Sequence, residues 1–357
     1  MAIDSLQITG VRNLAPLVLS PSPFVNLVYG NNGSGKSSLL EAIHLLAYSR
    51  SFRTHKLASL IQNQADELVV FARTGTAQIG MQRDREGNRK IRLNGENLHA
   101  ASELASLLPV QLLDPGMFRL LEGSPQYRRQ YIDWGAFHVE HHFFRLWRQT
   151  QKCLEMRNAL LRQGRCSEEE KDIWNSSLAQ HANELTEHRL AYLKVLEPLF
   201  QHYLQLLDAE LELDLGFTRG WQKDADLYEL LTESWERDRK QGFTQVGPQR
   251  ADLKFKTGGK PALEVLSRGQ QKIVVSALKL AQADHYQKHH DTTCIFLLDD
   301  LAAELDFAHR KALCKLLEDL KCQVFVTAVE PDILSACWQF PDQVARFHVE
   351  HGRIQQQ

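Results

Sequence analysis

Residues 30–37 read GNNGSGKS, a full match to G-x-x-x-x-G-K-[ST], and no other stretch limits the possible folds as tightly. The motif works only where a strand ends and a helix begins. The loop's backbone N–H groups must turn inward on one anion, and the helix must lend it a positive end. Both neighbours are present: VNLVY (25–29) is strand-like and SSLLEAIHLLAY (37–48) has helical periodicity. Gly30, Asn31, Asn32, Gly33, Ser34 and Gly35 then form a phosphate cradle, with Ser38 beyond it on the helix. Lys36 is expected to reach the β- and γ-phosphates and Ser37 to hold Mg²⁺, so the implied ligands are ATP and Mg²⁺. A glycine-rich turn that binds nothing is the alternative, and the flanking strand and helix argue against it.

A second motif, CIFLLDD (294–300), ends an apolar run in two carboxylates. Five consecutive apolar residues fit a strand buried on both faces. Asp299, at its C-terminal end, is placed to meet the Mg²⁺ held by Ser37. Asp300 is suited to orient an attacking water or accept its proton. Its alternative is a solvated acid ending a strand.

The rest of the chain frames these motifs. LQI (6–8), LVLS (17–20), LVVFAR (68–73), AQIGMQR (77–83) and KIRLNGE (90–96) read as strands, and AASELASLL (100–108) as a helix. After the middle, a helix at 267–289, the strand at 294–298, a helix near 306–320 and the strand QVFVTA (323–328) alternate as in a parallel α/β sheet. The middle reads as two long helices packed together, FFRLWRQTQKCLEMRNALLRQ (143–163) and 172–207, with Gly164 and the polar SEEEK run (167–171) at the turn. The expected division is therefore 1–115 and 246–357 as two parts of one lobe, with a helical lobe at 116–245.

Bulk properties exclude several classes. A net charge of −2 means that any nucleic-acid surface must be a local patch. No apolar run approaches the ~20 residues of a membrane span, and MAIDSLQITGVRN lacks the apolar core of a signal peptide. A cytoplasmic location is expected, with no membrane partner. The six cysteines show no Cys-x-x-Cys spacing and are expected to be free buried thiols.

LSRGQ (266–270) resembles the signature of ABC-type ATPases, commonly LSGGQ. The resemblance implies that Ser267, Arg268, Gly269 and Gln270, with the following helix N-terminus, bind the γ-phosphate held by the P-loop of a second copy. A chain with one P-loop, one Walker-B strand and one signature has half of each of two sites. A head-to-tail homodimer on two ATP molecules completes both. The alternative for Ser267 is an ordinary helix N-cap. LAAELDFAHR (301–310) adds a D-loop-like segment with Asp306. Thr327 or Ala328 stands where many such heads carry a histidine. Asp300 is shorter than the Glu common in transporter ATPases, which implies slow hydrolysis.

The start of the chain, through Arg12-Asn13 to the P-loop, resembles heads of the structural-maintenance-of-chromosomes class, in which the early Arg approaches the nucleotide. RSFRTHKLASLI (50–61), LLDPGMFRLLEGSPQYRRQYIDWGAFH (112–138) and VGPQRADLKF (246–255) narrow the resemblance to the RecF family of bacterial recombination mediators. That implies an ABC-type α/β ATPase head, a P-loop sheet with an N-terminal β-rich subdomain, plus a helical second lobe. It also implies ATP-driven dimerisation on gapped DNA or at junctions of single- and double-stranded DNA. Family partners are RecR and RecO, helping RecA replace the single-strand-binding protein.

Three basic clusters are candidate DNA contacts: Arg50, Arg53 and Lys56; Arg83, Arg85, Arg89 and Lys90; Arg128 and Arg129. Each has a solvated surface as its alternative. Tyr127, Tyr131 and Trp134 interleave with the third cluster, and core packing is favoured over base stacking for these rings. HVEHH (138–142) and HVEH (348–351) do not match a metal-site spacing. Two competing functions remain open: the ATPase subunit of a membrane transporter, and an ATP-gated nuclease of the overcoming-lysogenisation-defect type. The second needs a further domain with clustered acidic metal ligands.

Overall fold

The structure, a computed structural model, describes residues 2–75, 77–98, 101–164 and 166–357. The expected helix at 100–108 runs Ala101–Leu107, and Ala100 lies outside the described residues.

The chain divides into two compact units, residues 1–117, 206–209 and 272–357 in one and 118–205 with 210–271 in the other. The first unit holds two six-stranded sheets. One is antiparallel, in the order Leu17–Leu19, Ile3–Thr9, Glu67–Thr74, Ala77–Asp84, Arg89–Leu93, Glu96–Leu98. Its strands alternate, so that Ile3, Leu6 and Ile8 point to one apolar core while their neighbours meet solvent. The other runs Arg353–Gln356, Val344–Glu350, Val25–Tyr29, Gln323–Ala328, Ile295–Leu298, Val110–Leu113, parallel except for its first strand.

In the parallel sheet Ile295–Leu298 and Gln323–Ala328 are buried along their whole length, as unbroken apolar runs demand. The buried polar residue that opens the second strand is satisfied: the Gln323 side chain accepts from Ile3 N at 2.7 Å and donates to Ile3 O at 2.9 Å and Ser22 O at 2.8 Å. The helix Lys36–Tyr48 buries Leu39, Leu40, Ala42, Ile43, Leu45 and Leu46 in the core shared by both sheets. A helix covered on opposite sides has to be apolar nearly all round, which SLLEAIHLLA is.

The second unit carries the two long helices, Phe143–Gln163 and Glu168–Leu207. They pack through Cys153 and Leu154 against Leu178, Ala179 and Ala182. At 40 residues the second helix is about 60 Å long. It starts earlier than expected, and SEEEK is helix rather than turn. Ser167 and Glu170 explain this. Ser167 N donates to Glu170 Oε2 at 2.9 Å and Glu170 N to Ser167 Oγ at 3.1 Å, a reciprocal capping box. Only Gly164, left-handed at φ 71°, remains as the stop signal of the first helix.

The helical second lobe is not built of helices alone. The unit also contains a three-stranded antiparallel sheet, Lys260–Pro261, Asp252–Thr257, Asp214–Thr218. The compact division also differs from a break at 245/246. Residues 246–271 pack into the second unit because Asp252–Thr257 pairs with Asp214–Thr218 and Arg128 grips Asp252 at 2.7 Å. In the first unit, Val110–Leu113, Val344–Glu350 and Arg353–Gln356 are strands that the sequence reading lacked. Among the described residues no helix is long and apolar enough to cross a membrane.

Candidate nucleotide site

Between the strand Val25–Tyr29 and the helix Lys36–Tyr48, the loop takes backbone angles that its glycines permit. Gly30 has φ 148° and Gly35 φ 123°. A Cβ on Gly30 would lie 2.2 Å from Val349 O, so the close approach alone requires glycine there. The loop is held from outside as well. Gly352 N donates to Ser34 O at 2.8 Å, Asn13 Nδ2 to Gly33 O at 3.0 Å, and Ser38 Oγ to Asn13 Oδ1 at 3.0 Å.

The loop edges a cleft of about 720 Å³. Of the expected site residues, Arg12, Asn32, Gly33, Gly35, Lys36, Ser37, Ser38, Asp299 and Asp300 line it together. Gly30 and Asn31 contribute carbonyls: Lys36 Nζ donates to Gly30 O at 2.7 Å and Asn31 O at 3.0 Å. Ser34 is buried, and its hydroxyl has no partner among the described residues. Burial pulls the Lys36 ammonium below its ordinary pKa, and the carboxylates of Asp300 and Asp299 oppose that pull.

Ser37 and Asp299 meet although 262 positions apart, with Ser37 Oγ donating to Asp299 Oδ1 at 2.8 Å. The same carboxylate oxygen accepts from Thr327 Oγ1 at 2.9 Å, and Asp300 N donates to Thr327 Oγ1 at 2.8 Å. Three adjacent strand ends thus converge on one point. Asp299 is buried at the end of its strand, whereas Asp300 is exposed and left-handed at φ 55°. Fit to a divalent cation is direct: a hydroxyl and a carboxylate already in contact at a helix N-terminus are an oxygen pair of the kind Mg²⁺ takes.

Arg12 reaches the cleft in a fixed pose. Its Nε and NH2 donate to Glu41 at 2.8 and 2.9 Å, and Glu41 is wholly buried. The hydrogen bond to Glu41 raises the Arg12 pKa against the opposing effect of burial. Arg53 also lines the cleft, 4.0 Å from Glu41. The sequence reading missed Asn13, the stretch Gln62–Gln64, and Thr327 as an orienting hydroxyl. Thr327 acquires that role only through the pairing of its strand with the one that ends at Asp299.

The signature residues Ser267, Arg268, Gly269 and Gln270 belong to the second unit and do not line the cleft. Ser267 N donates to Gln270 Oε1 at 3.0 Å and Gln270 N to Ser267 Oγ at 3.3 Å, so the motif is itself a capping box for Arg268–His290. The Arg268 guanidinium pairs with Glu122 and lies 4.8 Å from the centre of the Phe118 ring. Asp306 does not line the cleft either. It caps the helix Phe307–Asp319 by accepting from His309 N at 3.1 Å, a bond that lowers its pKa.

One basic cluster is corrected. Arg128 is buried on Asp252, Gly123 O and Leu121 O, and Arg129 NH1 donates to Ala251 O at 2.8 Å. Both serve the packing of their own unit. Tyr131 is buried, as favoured for these rings, while Tyr127 is partly exposed. Arg85 holds Gln62 O, Asn63 O and Ala65 O, bracing one wall of the cleft. Arg50, Arg53, Lys56, Arg89 and Lys90 remain exposed.

A parallel sheet carrying a P-loop, an Asp at the end of the next strand but one and an antiparallel sheet on the same helix define a P-loop ATPase head of the SMC type. The Smc head domain of Pyrococcus furiosus has this fold, at TM-score 0.59 and 17% identity over 100% of this chain and 96% of that one. The family described as RecF/RecN/SMC N terminal domain matches residues 2–355. Curated relatives called DNA replication and repair protein RecF are 48% identical in Pseudomonas fluorescens and 46% in Pseudomonas aeruginosa, each covering 100% of this chain and 98% of the relative. A solved structure of the recombination mediator protein RecF with ATP, from the RecFOR pathway, superposes at TM-score 0.87 with 26% identity. It covers 100% of this chain and 97% of that one. The chain belongs to the RecF family.

Proposed function

We propose that this chain binds ATP and Mg²⁺ in the cleft, hydrolyses the ATP slowly, and closes head to tail with a second copy on DNA as a mediator of recombinational repair. The observation that carries the reading is the hydrogen-bonded run from Ser37 through Asp299 and Thr327 to the backbone of Asp300. Ser37 and Asp299 would hold Mg²⁺, which supplies charge neutralisation for the phosphates. Lys36 exchanges its two loop carbonyls for the β- and γ-phosphate oxygens. Asp300 faces the attacking water, and its short side chain keeps turnover low. Ser267, Arg268, Gly269 and Gln270 approach the γ-phosphate of the other copy, with Asp306 at the same interface.

The relatives' names support a role in DNA replication and repair within the RecFOR pathway; the reading extends this to DNA gaps or single-strand/double-strand junctions, with RecO and RecR and to the benefit of RecA. The exposed cations Arg50, Arg53, Lys56, Arg89 and Lys90 supply phosphate-binding charge. The test is fluorescence anisotropy on a gapped duplex with ATP, with ADP and without nucleotide, at two salt concentrations. Tight binding only with ATP, lost in Lys36→Ala and in Ser267→Arg, is expected. Binding indifferent to nucleotide, or none, would sink the DNA clamp and return weight to a transporter-type partner role.

A further inference from the structure

The helix Arg268–His290 starts at the signature residues and continues into the first unit, where Ser276 is 1% exposed. A serine inside a helix can turn its hydroxyl back on the carbonyl four residues earlier. Ser276 Oγ makes no such bond and has no partner among the described residues. Hydroxyls this deep are satisfied in native folds, by protein or by ordered water.

Ser276 lines a cavity of about 10 Å³, room for one water. Leu113, Met117 and Leu305 give it apolar walls, and the other polar residues lining it are Glu304 and Asp299. Glu304 closes the short helix Leu301–Glu304 that follows Asp300. Its Oε2 is buried 3.0 Å from Lys272 Nζ, yet accepts no bond of hydrogen-bond geometry among the described residues. Lys272 stands one turn before Ser276 on the same helix. Asp299 is 8% exposed and accepts from Ser37 and Thr327 through Oδ1. The cavity thus brings together one hydroxyl donor and two carboxylate residues, which accept. A water matches that set by accepting once and donating twice, the usual three bonds of a buried water. Lys272 already supplies positive charge at Glu304, so a neutral occupant suffices.

We infer that one buried water joins Ser276, Glu304 and Asp299, and that Ser276 is thereby a positioning residue for the carboxylate that meets Mg²⁺. The inference rests on the nucleotide reading above for its functional meaning, and on the cavity and the unpartnered hydroxyl for the water itself. A metal-ligating carboxylate works best when its own hydrogen bonds fix its direction. Ser37 and Thr327 do this from the cleft side, and the water adds a hold from the side of the helix. Ser267 and Ser276 lie about two and a half turns apart on that helix. The helix that offers its signature to a second copy therefore also helps to hold the metal carboxylate of its own copy.

The experiment has two arms, both on the full chain. A crystal structure locates the water, and calorimetry measures ATP affinity with and without Mg²⁺. Density for a water within hydrogen-bond distance of Ser276 Oγ, Glu304 and Asp299 is expected in the unaltered chain. Ser276→Ala should cut the gain in ATP affinity that Mg²⁺ brings by about tenfold and leave the Mg²⁺-free affinity unchanged. Ser276→Val, whose methyls fill the cavity, should lose the water and show the same effect, so that the loss follows the water and not an emptied core. An empty cavity, a Ser276 hydroxyl bonded to Lys272 O, or a full Mg²⁺ gain in the folded variants would each overturn the inference. An unaltered chain that binds no ATP would fell the nucleotide reading instead, and the density at Ser276 would still decide the water.

Discussion

Thr327 shows what one hydroxyl can do at a strand end. It donates to Asp299 and accepts from the backbone of Asp300, so it orients one carboxylate and fixes the turn that presents the other. Hydrogen bonds to a charged group contribute about 1.5–3 kcal/mol. Thr327→Val, equal in shape, is expected to lower ATP turnover by roughly 10- to 100-fold while ATP binding through the P-loop changes little. Steady-state kcat and KM check this, and a change confined to KM would remove Thr327 from the catalytic geometry. At this scale much of the site was legible. The P-loop and Asp299 each follow a fixed spacing next to a strand. Thr327 was not, because a Thr ending a buried strand has no signature until its neighbour is known. Arg128 misled for the same reason, since an Arg in a basic cluster looks exposed until Asp252 is placed beside it.

Among elements, the long helix pair depends on one buried hub. Arg157, in the helix Phe143–Gln163, donates to Asn175 at 2.8 Å, Asp238 at 2.8 Å, Thr244 at 2.8 Å and Leu231 O at 2.7 Å. Neither Arg157 nor Asp238 is exposed at all. Arg157→Met leaves the Asp238 charge buried and unpaired, and is expected to cost about 3–5 kcal/mol in urea unfolding. A loss below about 1 kcal/mol would mean that water replaces the guanidinium. Phe143–Gln163 was readable to the residue because its periodicity ends at a left-handed glycine. The sheet of Asp214–Thr218 and Asp252–Thr257 was hidden. DLGFT is short and weakly apolar, and its partner strand lies beyond two intervening helices, out of reach of any local pattern.

Across the whole molecule, the strand that carries the P-loop pairs with nothing near it in sequence. Its neighbours in the sheet are Gln323–Ala328 and Val344–Glu350, and the following turn braces the loop through Gly352. The sequence announced the loop at residue 30 but not this support, because VARFHVE carries Arg and His within a strand that is only half buried. A chain stopped after Gln343 keeps GNNGSGKS, Asp299 and Thr327 intact, yet is expected to lose ATP binding measured by calorimetry. Retained affinity would show that the four remaining strands of the sheet suffice.

The strand order also sets a timetable. On the ribosome the P-loop emerges early, with its helix and most of the antiparallel sheet, but the strands that flank it come about 300 residues later, at 5–20 residues per second roughly 15–60 s. During that interval the most nucleotide-like part of the nascent chain has no fixed shape in which to hold a nucleotide. Competence for ATP is therefore acquired at the end of synthesis in a single closing event, and premature termination should yield products inert toward the nucleotide rather than partly active ones.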